Sequence, residues 1–306
     1  MRVLMISGDQ NLVRLGTSAH ERFLLQKNAV EALELVVWPK QFLKPFFVSG
    51  KFDVVTSQDP FWRGLVAWVA ARRLHARFNV QVHADIDAQS FVKHVLGQIV
   101  LMHADSVRAV SSRVEKQVLT LTRAKVGILP VFIDLTRFQN LAHEPHSRFA
   151  KTILWTGRFE PEKDPLDALE VLRRVRAAGA DAGLVMLGEG SLMQALKEKA
   201  ASDGLEEYVE FPGWQDPLRF LKQADVLLCT SRAESFGASM VEALAAGVPV
   251  VSSDVGIARE AGAIIRDKKD LSAGVLETLS NGRKGTLLLP LLSKEEWADE
   301  WKKSLQ

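Results

Sequence analysis

Two glutamates eight positions apart, Glu234 and Glu242, bracket a glycine turn in Glu234-Ser235-Phe236-Gly237-Ala238-Ser239-Met240-Val241-Glu242. The turn follows a strand-length apolar run and enters a helical pattern that Gly247 ends just before Pro249. Free backbone N–H groups at such a helix start, here near Phe236, Gly237 and Ala238, are aligned with the helix dipole and suit an anion. Gly237 lets the backbone come close to a phosphate. Carboxylates accept hydrogen bonds from paired hydroxyls, so Glu234 and Glu242 suit a sugar or ribose better than the phosphate itself. As two isolated glutamates they would read as a loop carboxylate and a solvated helix residue. A second motif reverses that reading.

That motif is Thr156-Gly157-Arg158-Phe159-Glu160-Pro161-Glu162-Lys163-Asp164-Pro165, in the loop after another apolar strand. Arg158 offers a planar fork of donors and Lys163 a compact charge, a pair that can neutralise a diphosphate leaving group. Either alone is an ordinary surface cation. Together with the helix start they make a diphosphate site. A metal site is not indicated. The chain has one cysteine, Cys229, inside Val226-Leu227-Leu228-Cys229, and no closely spaced histidine pair on a helix face.

The elements that must position these residues alternate. Strand-length apolar runs lie at 3–6, 33–37, 54–56, 80–83, 107–110 and 126–129. Helical patterns at 18–27, 61–77 and 111–121 separate most of them. A polar segment, Asn140–Arg148, breaks the rhythm, which restarts with strands at 152–155, 183–187, 209–211, 226–229 and 248–252. Helices are expected there over 166–177, 192–201, 218–223 and 239–246. Short apolar strands between amphipathic helices imply parallel sheets covered on both faces. The fold class is therefore α/β: two doubly wound, Rossmann-like domains with a cleft between them. The expected bounds are 1–145 and 146–290, with a terminal helix over 291–306 packing back toward the first domain. That helix opens on the capping-box pattern Ser293-Lys294-Glu295-Glu296.

With 306 residues, 47% hydrophobic and 25% charged, the composition is that of a globular protein large enough for two cores. A net charge of +2 gives no global field that argues for nucleic acid. A single cysteine fits a reducing compartment, and no run approaches the roughly 20 apolar residues of a membrane span, so a cytoplasmic location is expected. Trp38-Pro39-Lys40-Gln41-Phe42-Leu43-Lys44-Pro45-Phe46-Phe47, with Arg72, Arg73 and Arg77, mixes aromatics and cations. Such a surface suits peripheral contact with the inner face of a membrane; core aromatics and solvated cations are the plainer explanation.

The two motifs, with Leu187-Gly188-Glu189-Gly190-Ser191 and Glu210-Phe211-Pro212-Gly213-Trp214 between them, resemble glycosyltransferase family 4. The resemblance implies the GT-B fold, a nucleotide-diphosphate sugar as co-substrate, retention of anomeric configuration and no metal. It assigns Arg158 and Lys163 to the diphosphate, Glu242 to the ribose hydroxyls, and Glu234 to the donor sugar. Phe236, Gly237 and Ala238 would supply phosphate and sugar contacts, Gly157 belongs to the diphosphate loop, and Gly213 lines the base pocket. Asp164 stands where many members have glycine. Val82-His83-Ala84-Asp85 resembles the segment whose histidine faces the donor sugar, although a lone histidine after a strand is more often structural. Adjacent glycines after the first strand are missing; Gly8 and Gly16 flank Asp9-Gln10-Asn11 instead, with Gly16 and Arg22 as their counterpart. The stretch between His83 and Asp105 reads as trimmed.

The expected catalytic residues are thus His83, Arg158, Lys163 and Glu234, and the expected activity is transfer of a sugar to a hydroxyl of a glycan or lipid-linked acceptor. The alternatives are a non-catalytic nucleotide-sugar-binding protein, or an epimerase or hydrolase on the same fold. A dinucleotide oxidoreductase fits poorly, since no G-x-G-x-x-G follows the first strand of either domain.

Overall fold

The computed structural model describes residues 1–41, 43–290 and 292–306. It divides into two compact units, Met1–Asp134 with Leu291–Gln306, and Leu135–Pro290. Each holds one six-stranded parallel sheet. The polar segment Asn140–Arg148 groups with the second unit.

In the first unit, β1 (Arg2–Ser7), β2 (Ala32–Val37), β3 (Val54–Ser57), β4 (Arg77–Val82), β5 (Ser106–Ala109) and β6 (Lys125–Ile128) lie in the order β2-β1-β3-β4-β5-β6. The helices are α1 (Ser18–Asn28), the single turn α2 (Lys44–Phe47), α3 (Trp62–Leu74), α4 (Phe91–Met102) and α5 (Ser112–Leu119). Val3, Leu4, Met5 and Ile6 are all fully buried, as a strand covered on both faces requires. The 61–77 helical pattern stops short: His75 takes the left-handed conformation (φ 51°) that ends a helix, and Arg77 already opens β4. The stretch that reads as trimmed contains α4. Its sequence, Phe91-Val92-Lys93-His94-Val95-Leu96-Gly97-Gln98-Ile99-Val100-Leu101-Met102, is apolar nearly all round and so carries no helical period to detect.

The C-terminal helix, Lys294–Ser304, belongs to this unit. Its capping box is formed: the Ser293 N–H donates to Glu296 at 2.8 Å and the Glu296 N–H to the Ser293 hydroxyl at 3.1 Å. Trp297 and Trp301, one turn apart, are buried against Val3, Met5, Leu33 and Phe132. Beneath them runs a polar chain. Arg108, fully buried on β5, donates to the carbonyls of Leu129 (3.0 Å) and Pro130 (2.9 Å) and to Gln81 (2.7 Å). The Trp297 indole donates to Pro130 and the Trp301 indole to Gln81. The chain continues from Gln81 to Thr56 and Asn79, and Asn79 donates to the Ser304 carbonyl at 2.8 Å. Each of the three guanidinium nitrogens donates to an acceptor and the Cζ lies 5.3 Å from the centre of the Trp297 ring, partners of the kind a buried charge requires.

In the second unit, β7 (Lys151–Thr156), β8 (Ala182–Leu187), β9 (Val209–Gly213), β10 (Val226–Cys229), β11 (Val250–Ser252) and β12 (Ile264–Ile265) lie in the order β12-β11-β10-β7-β8-β9. The helices are α6 (Pro165–Ala177), α7 (Met193–Ser202), α8 (Pro217–Gln223), α9 (Ala238–Ala245), the single turn α10 (Ala258–Ala261) and α11 (Leu271–Asn281). Ala168, Leu169, Val171, Leu172 and Val175 of α6 face the sheet at helical spacing. The sequence pattern gives no hint of β12, which is two residues long, or of α11. Strand order reverses between β7 and β10, so the loops leaving these two strands flank the switch point at which open α/β sheets bind ligands.

Candidate functional site

Both motifs leave the carboxyl ends of the two strands at that switch point. The loop after β7 is held by a chain of hydrogen bonds that starts in the core. The Trp155 indole donates to Thr230 at 2.9 Å, and the Thr230 hydroxyl lies 3.0 and 2.9 Å from the carbonyl oxygens of Lys163 and Asp164. Thr230 is the first residue after β10, so this one hydroxyl ties the two loops together. The Arg232 N–H adds a bond to the Glu162 carbonyl at 3.0 Å. From β8 the backbone approaches so closely that a Cβ on Gly188 would sit 1.8 Å from the Gly157 carbonyl oxygen. Only glycine fits there.

Lys163 ion-pairs with Glu234, and the Ser231 hydroxyl donates to the same carboxylate oxygen at 2.8 Å. Both charged side chains are mostly buried, at 21% and 14% exposure. The structure thus brings together the cation of one motif and the first glutamate of the other. Arg158 stays at the surface and pairs with Glu162 at 2.5 Å. Gly157 donates its N–H to the Leu187 carbonyl at 3.0 Å, and Gly213, at the end of β9, accepts from the Gly188 N–H at 3.1 Å.

The turn into α9 is built by Gly237, whose φ of 105° is open to glycine and strained for other residues. Phe236 is buried, and its carbonyl accepts from Ile257 at 3.0 Å. No side chain caps α9 and its first turn holds no acid. The start of α9, three residues after Glu234, thus carries no side-chain cap, and a helix start of this kind suits an anion. Glu242 lies one turn further along. Burial pushes its carboxyl up to about 7, with Arg137 pulling it down and Asp216 pushing it up. Arg137 and Asp216 are themselves an ion pair. A carboxyl this short of water gains from any hydroxyl it can bond.

Three features escape the sequence reading. Asp164 occupies a left-handed position (φ 48°) and is 8% exposed. It pairs with Arg232 at 3.0 Å and with Lys268. Burial works against its ionised form, yet the two cations hold its carboxyl below the usual range. It therefore fastens the β7 loop to the β10 loop and to the turn before α11. Glu160 performs a similar task, accepting from the Ser191 N–H (3.0 Å) and hydroxyl (2.7 Å). Arg137 and Asp216 beside Glu242 are the third. None shares a motif with its partner, so nothing in the spacing points to them. Cys229 is buried, and its thiol is pushed up by that burial and by the Glu234 charge. A cavity of about 310 Å³ lies at the other end of this sheet, beside Lys151, Asp225 and Pro249 at the starts of β7, β10 and β11.

His83 and Gly16 belong to the first unit. His83 follows the last residue of β4. Its Nε2 is buried without a partner, and burial, then Arg108 and Arg22, hold its pKa well below the usual histidine value. It is a neutral imidazole. Gly16 lies on an exposed turn, with nothing near the place a Cβ would take. Arg22 donates to the Phe132 carbonyl at 3.4 Å. Among the described residues no helix is long and apolar enough to cross a membrane. In the basic, aromatic stretch, Phe42 lies outside the described residues. Lys44 pairs with Glu34, Arg73 donates to the Val48 carbonyl, and Arg77 to that of Gln306.

Residues 150–300 match the family model described as Glycosyl transferases group 1. The chain is 29% identical to a D-inositol 3-phosphate glycosyltransferase of Nocardia farcinica over 68% of its own length and 53% of that protein. It is 28% identical to a phosphatidyl-myo-inositol mannosyltransferase of Mycobacterium leprae over 74% of its own length and 60% of that protein. The chain spans about half the length of the curated relatives it matches. Among solved structures, Anabaena HepE with UDP and glucose superposes with a TM-score of 0.75 at 13% identity, covering 100% of this chain and 95% of that one. The lipopolysaccharide outer core galactosyltransferase WaaB superposes with a TM-score of 0.70 at 17% identity, covering 100% and 94%. At that identity the likeness shows the fold, which is GT-B.

Proposed function

With the chain a member of the Glycosyl transferases group 1 family, we propose that it is a retaining glycosyltransferase that takes a sugar from a nucleoside diphosphate and passes it to an acceptor hydroxyl. The observation that carries this reading is the Lys163–Glu234–Ser231 cluster beside the uncapped start of α9, at the switch point of the second sheet.

In this reading the diphosphate lies at the start of α9, where the N–H groups of Phe236, Gly237 and Ala238 and the Lys163 ammonium face its charge. Arg158 swings from its surface pair with Glu162 to the same anion. Glu242 accepts hydrogen bonds from the ribose hydroxyls and Glu234 from a hydroxyl of the sugar. In the reaction the bond from the anomeric carbon to the diphosphate oxygen breaks. The acceptor oxygen bonds that carbon from the same face, and its proton passes to the departing diphosphate. The developing negative charge on the leaving group meets donors already in place, which is the largest single contribution such a site makes. No metal takes part.

The acceptor is a glycan or lipid-linked hydroxyl, and the enzyme works in the cytoplasm against the inner face of a membrane. The M. leprae relative, named for a phosphatidyl-linked acceptor, supports the lipid form.

The test is a thermal-shift and turnover screen against UDP-, GDP- and ADP-sugars with a chelator present, and the Glu242→Ala variant alongside. Stabilisation by one donor, weakened in the variant and joined by release of its nucleoside diphosphate, is expected. No shift with any donor would overturn the reading. Binding without turnover would leave a nucleotide-sugar-binding protein. Consumption of donor without acceptor would mark an epimerase or hydrolase.

A further inference from the structure

The cavity of about 310 Å³ at the starts of β7, β10 and β11 lies at the opposite end of the second sheet from the Lys163 and Glu234 loops. That volume suits one small molecule. Four cations line it, Lys151, Lys222, Arg283 and Lys284, and among the described residues its lining holds a single carboxylate, Asp225. Two of the cations are already answered. Lys151 pairs with Asp225 at 3.0 Å, whose other oxygen accepts from the Thr152 N–H at 2.8 Å. Lys222 pairs with Glu144 at 3.1 Å.

Arg283 and Lys284 differ. Both are exposed, and among the described residues neither has a hydrogen-bond or ion-pair partner. Helices α8, α9 and α11 end at this cavity, and the carbonyls of a helix end attract cations. Here backbone N–H groups answer two of those ends: Glu144 donates to the Lys222 carbonyl and Gly285 to the Gly247 carbonyl, each at 2.8 Å. The same contacts hold the two free cations at the cavity. Gly282 ends α11 in the left-handed conformation (φ 57°), and a Cβ on Gly285 would lie 2.2 Å from the Val248 carbonyl oxygen. Arg283 and Lys284 stand between these two fixed points.

Like charges gathered around one carboxylate repel each other, and an anion in their midst removes that cost. A phosphate group carries up to two charges on several acceptor oxygens. It can therefore meet the guanidinium fork of Arg283 and the Lys284 ammonium together, with Lys151 and Lys222 adding their fields from the far wall. We propose that this cavity is a second anion site, which takes a small molecule bearing a phosphate group, with Arg283 and Lys284 as its main contacts. The site lies wholly within the second unit and uses none of the residues assigned to the donor.

The experiment is an NMR titration of the isotope-labelled full chain with inorganic pyrophosphate, repeated with potassium chloride at matched ionic strength. The amides of Gly247 and Gly285 report this cavity, and the amide of Gly237 reports the start of α9. With pyrophosphate the Gly247 and Gly285 signals should move and saturate, and chloride should not reproduce the curve. In the Arg283→Ser, Lys284→Ser double variant the Kd read at these two amides should rise about tenfold or more, while the Gly237 curve stays as in wild type. Both side chains are exposed and unbonded, so the melting temperature should hold. An equal curve with chloride, or an unchanged one in the double variant, overturns the proposal. So does a response confined to Gly237, which would leave the donor site as the place where pyrophosphate binds. Saturation at Gly247 and Gly285 with no movement at Gly237 would uphold this site and count against the donor reading, so the two are told apart.

Discussion

The two units share one architecture and use polar groups in opposite ways. In the second unit, charged side chains stand on the loops that leave β7 and β10 and pair across them: Lys163 with Glu234, and Asp164 with Arg232 and Lys268. In the first unit, the corresponding investment lies inside the sheet, where Arg108, Gln81, Thr56 and Asn79 bind the C-terminal helix from beneath. Exposed large apolar side chains follow the reverse pattern. Among the described residues the second unit shows Trp214 and Leu288, and the rest are on the first. One parallel sheet therefore carries its paired charges at the rim, where the proposed chemistry lies, and the other holds its polar groups in the core while turning an apolar surface outward. Function and stability should then be separable by unit.

The sharpest way to break that contrast is Lys163→Ala. If the rim charges serve chemistry, turnover of the donor falls about 100- to 1,000-fold, since one preorganised partner of the leaving group is gone. The melting temperature should change little. A large loss of stability with modest loss of turnover would put Lys163 with the structural charges instead. The mirror test is Arg108→Leu in the first unit. The Leu129 carbonyl loses the Arg108 donor, the Pro130 carbonyl and the Gln81 amide oxygen keep the Trp297 and Trp301 indoles but lose their charged donor, and unfolding becomes easier by about 3 kcal/mol. Burial, then Arg22, lowers the Arg108 pKa to about 9, so the wild-type group is still a cation at neutral pH. Denaturant titration measures the loss, and donor binding by the folded fraction should persist.

The same contrast explains what could be read in advance. The second unit's rim was legible because Glu234, Gly237, Glu242 and Lys163 stand at fixed steps along short loops, the pattern that the proposed phosphate and sugar contacts call for. The twelve parallel strands were legible wherever apolar runs reached strand length between helices. Ile264–Ile265 was too short for that, and α4 too uniformly apolar to show a period. The Asp164–Lys268 pair joins residues of unrelated loops, and the Arg108 chain joins β4 and β5 to the last helix. Such partnerships exist only once the chain is folded, so spacing cannot reveal them. In the sequence, Asp164 shows only as a replacement for the glycine of many family members. Its φ of 48° shows why glycine suits the place, and its two cations show what aspartate adds.

Glu242 sharpens the comparison by pH. Its carboxyl is raised from 4.5 to about 7, chiefly by burial, so the folded state holds the proton that the unfolded state releases. The stability this adds is complete below pH 4.5 and is lost as pH rises through about 7. Solvent reaching a partly exposed carboxyl limits it to about 1–2 kcal/mol. Glu242→Gln, which cannot ionise, should flatten the fall in unfolding free energy across that window. A slope equal to wild type would mean that another group titrates there.

Asp164→Asn carries the smallest expected effect and separates the two roles within the second unit itself. Asparagine accepts the left-handed backbone, so the turn into α6 is kept and only the charge is removed. Arg232 and Lys268 are 64% and 47% exposed, so water screens both pairs, and the loss should be about 1 kcal/mol. The sign is fixed by chemistry. A carboxyl held below its ordinary value stabilises the fold above that value, and the stabilisation is lost as pH falls through the lower one. The deficit of the variant should therefore vanish in acid, and it should shrink in high salt. Because the Asp164 and Lys163 carbonyls share the Thr230 hydroxyl, loosening this anchor should also displace Lys163 and raise the donor KM more than it lowers kcat. A salt-independent deficit with unchanged KM would instead make Asp164 a packing residue, and the division between rim and core would have to be redrawn inside the second unit.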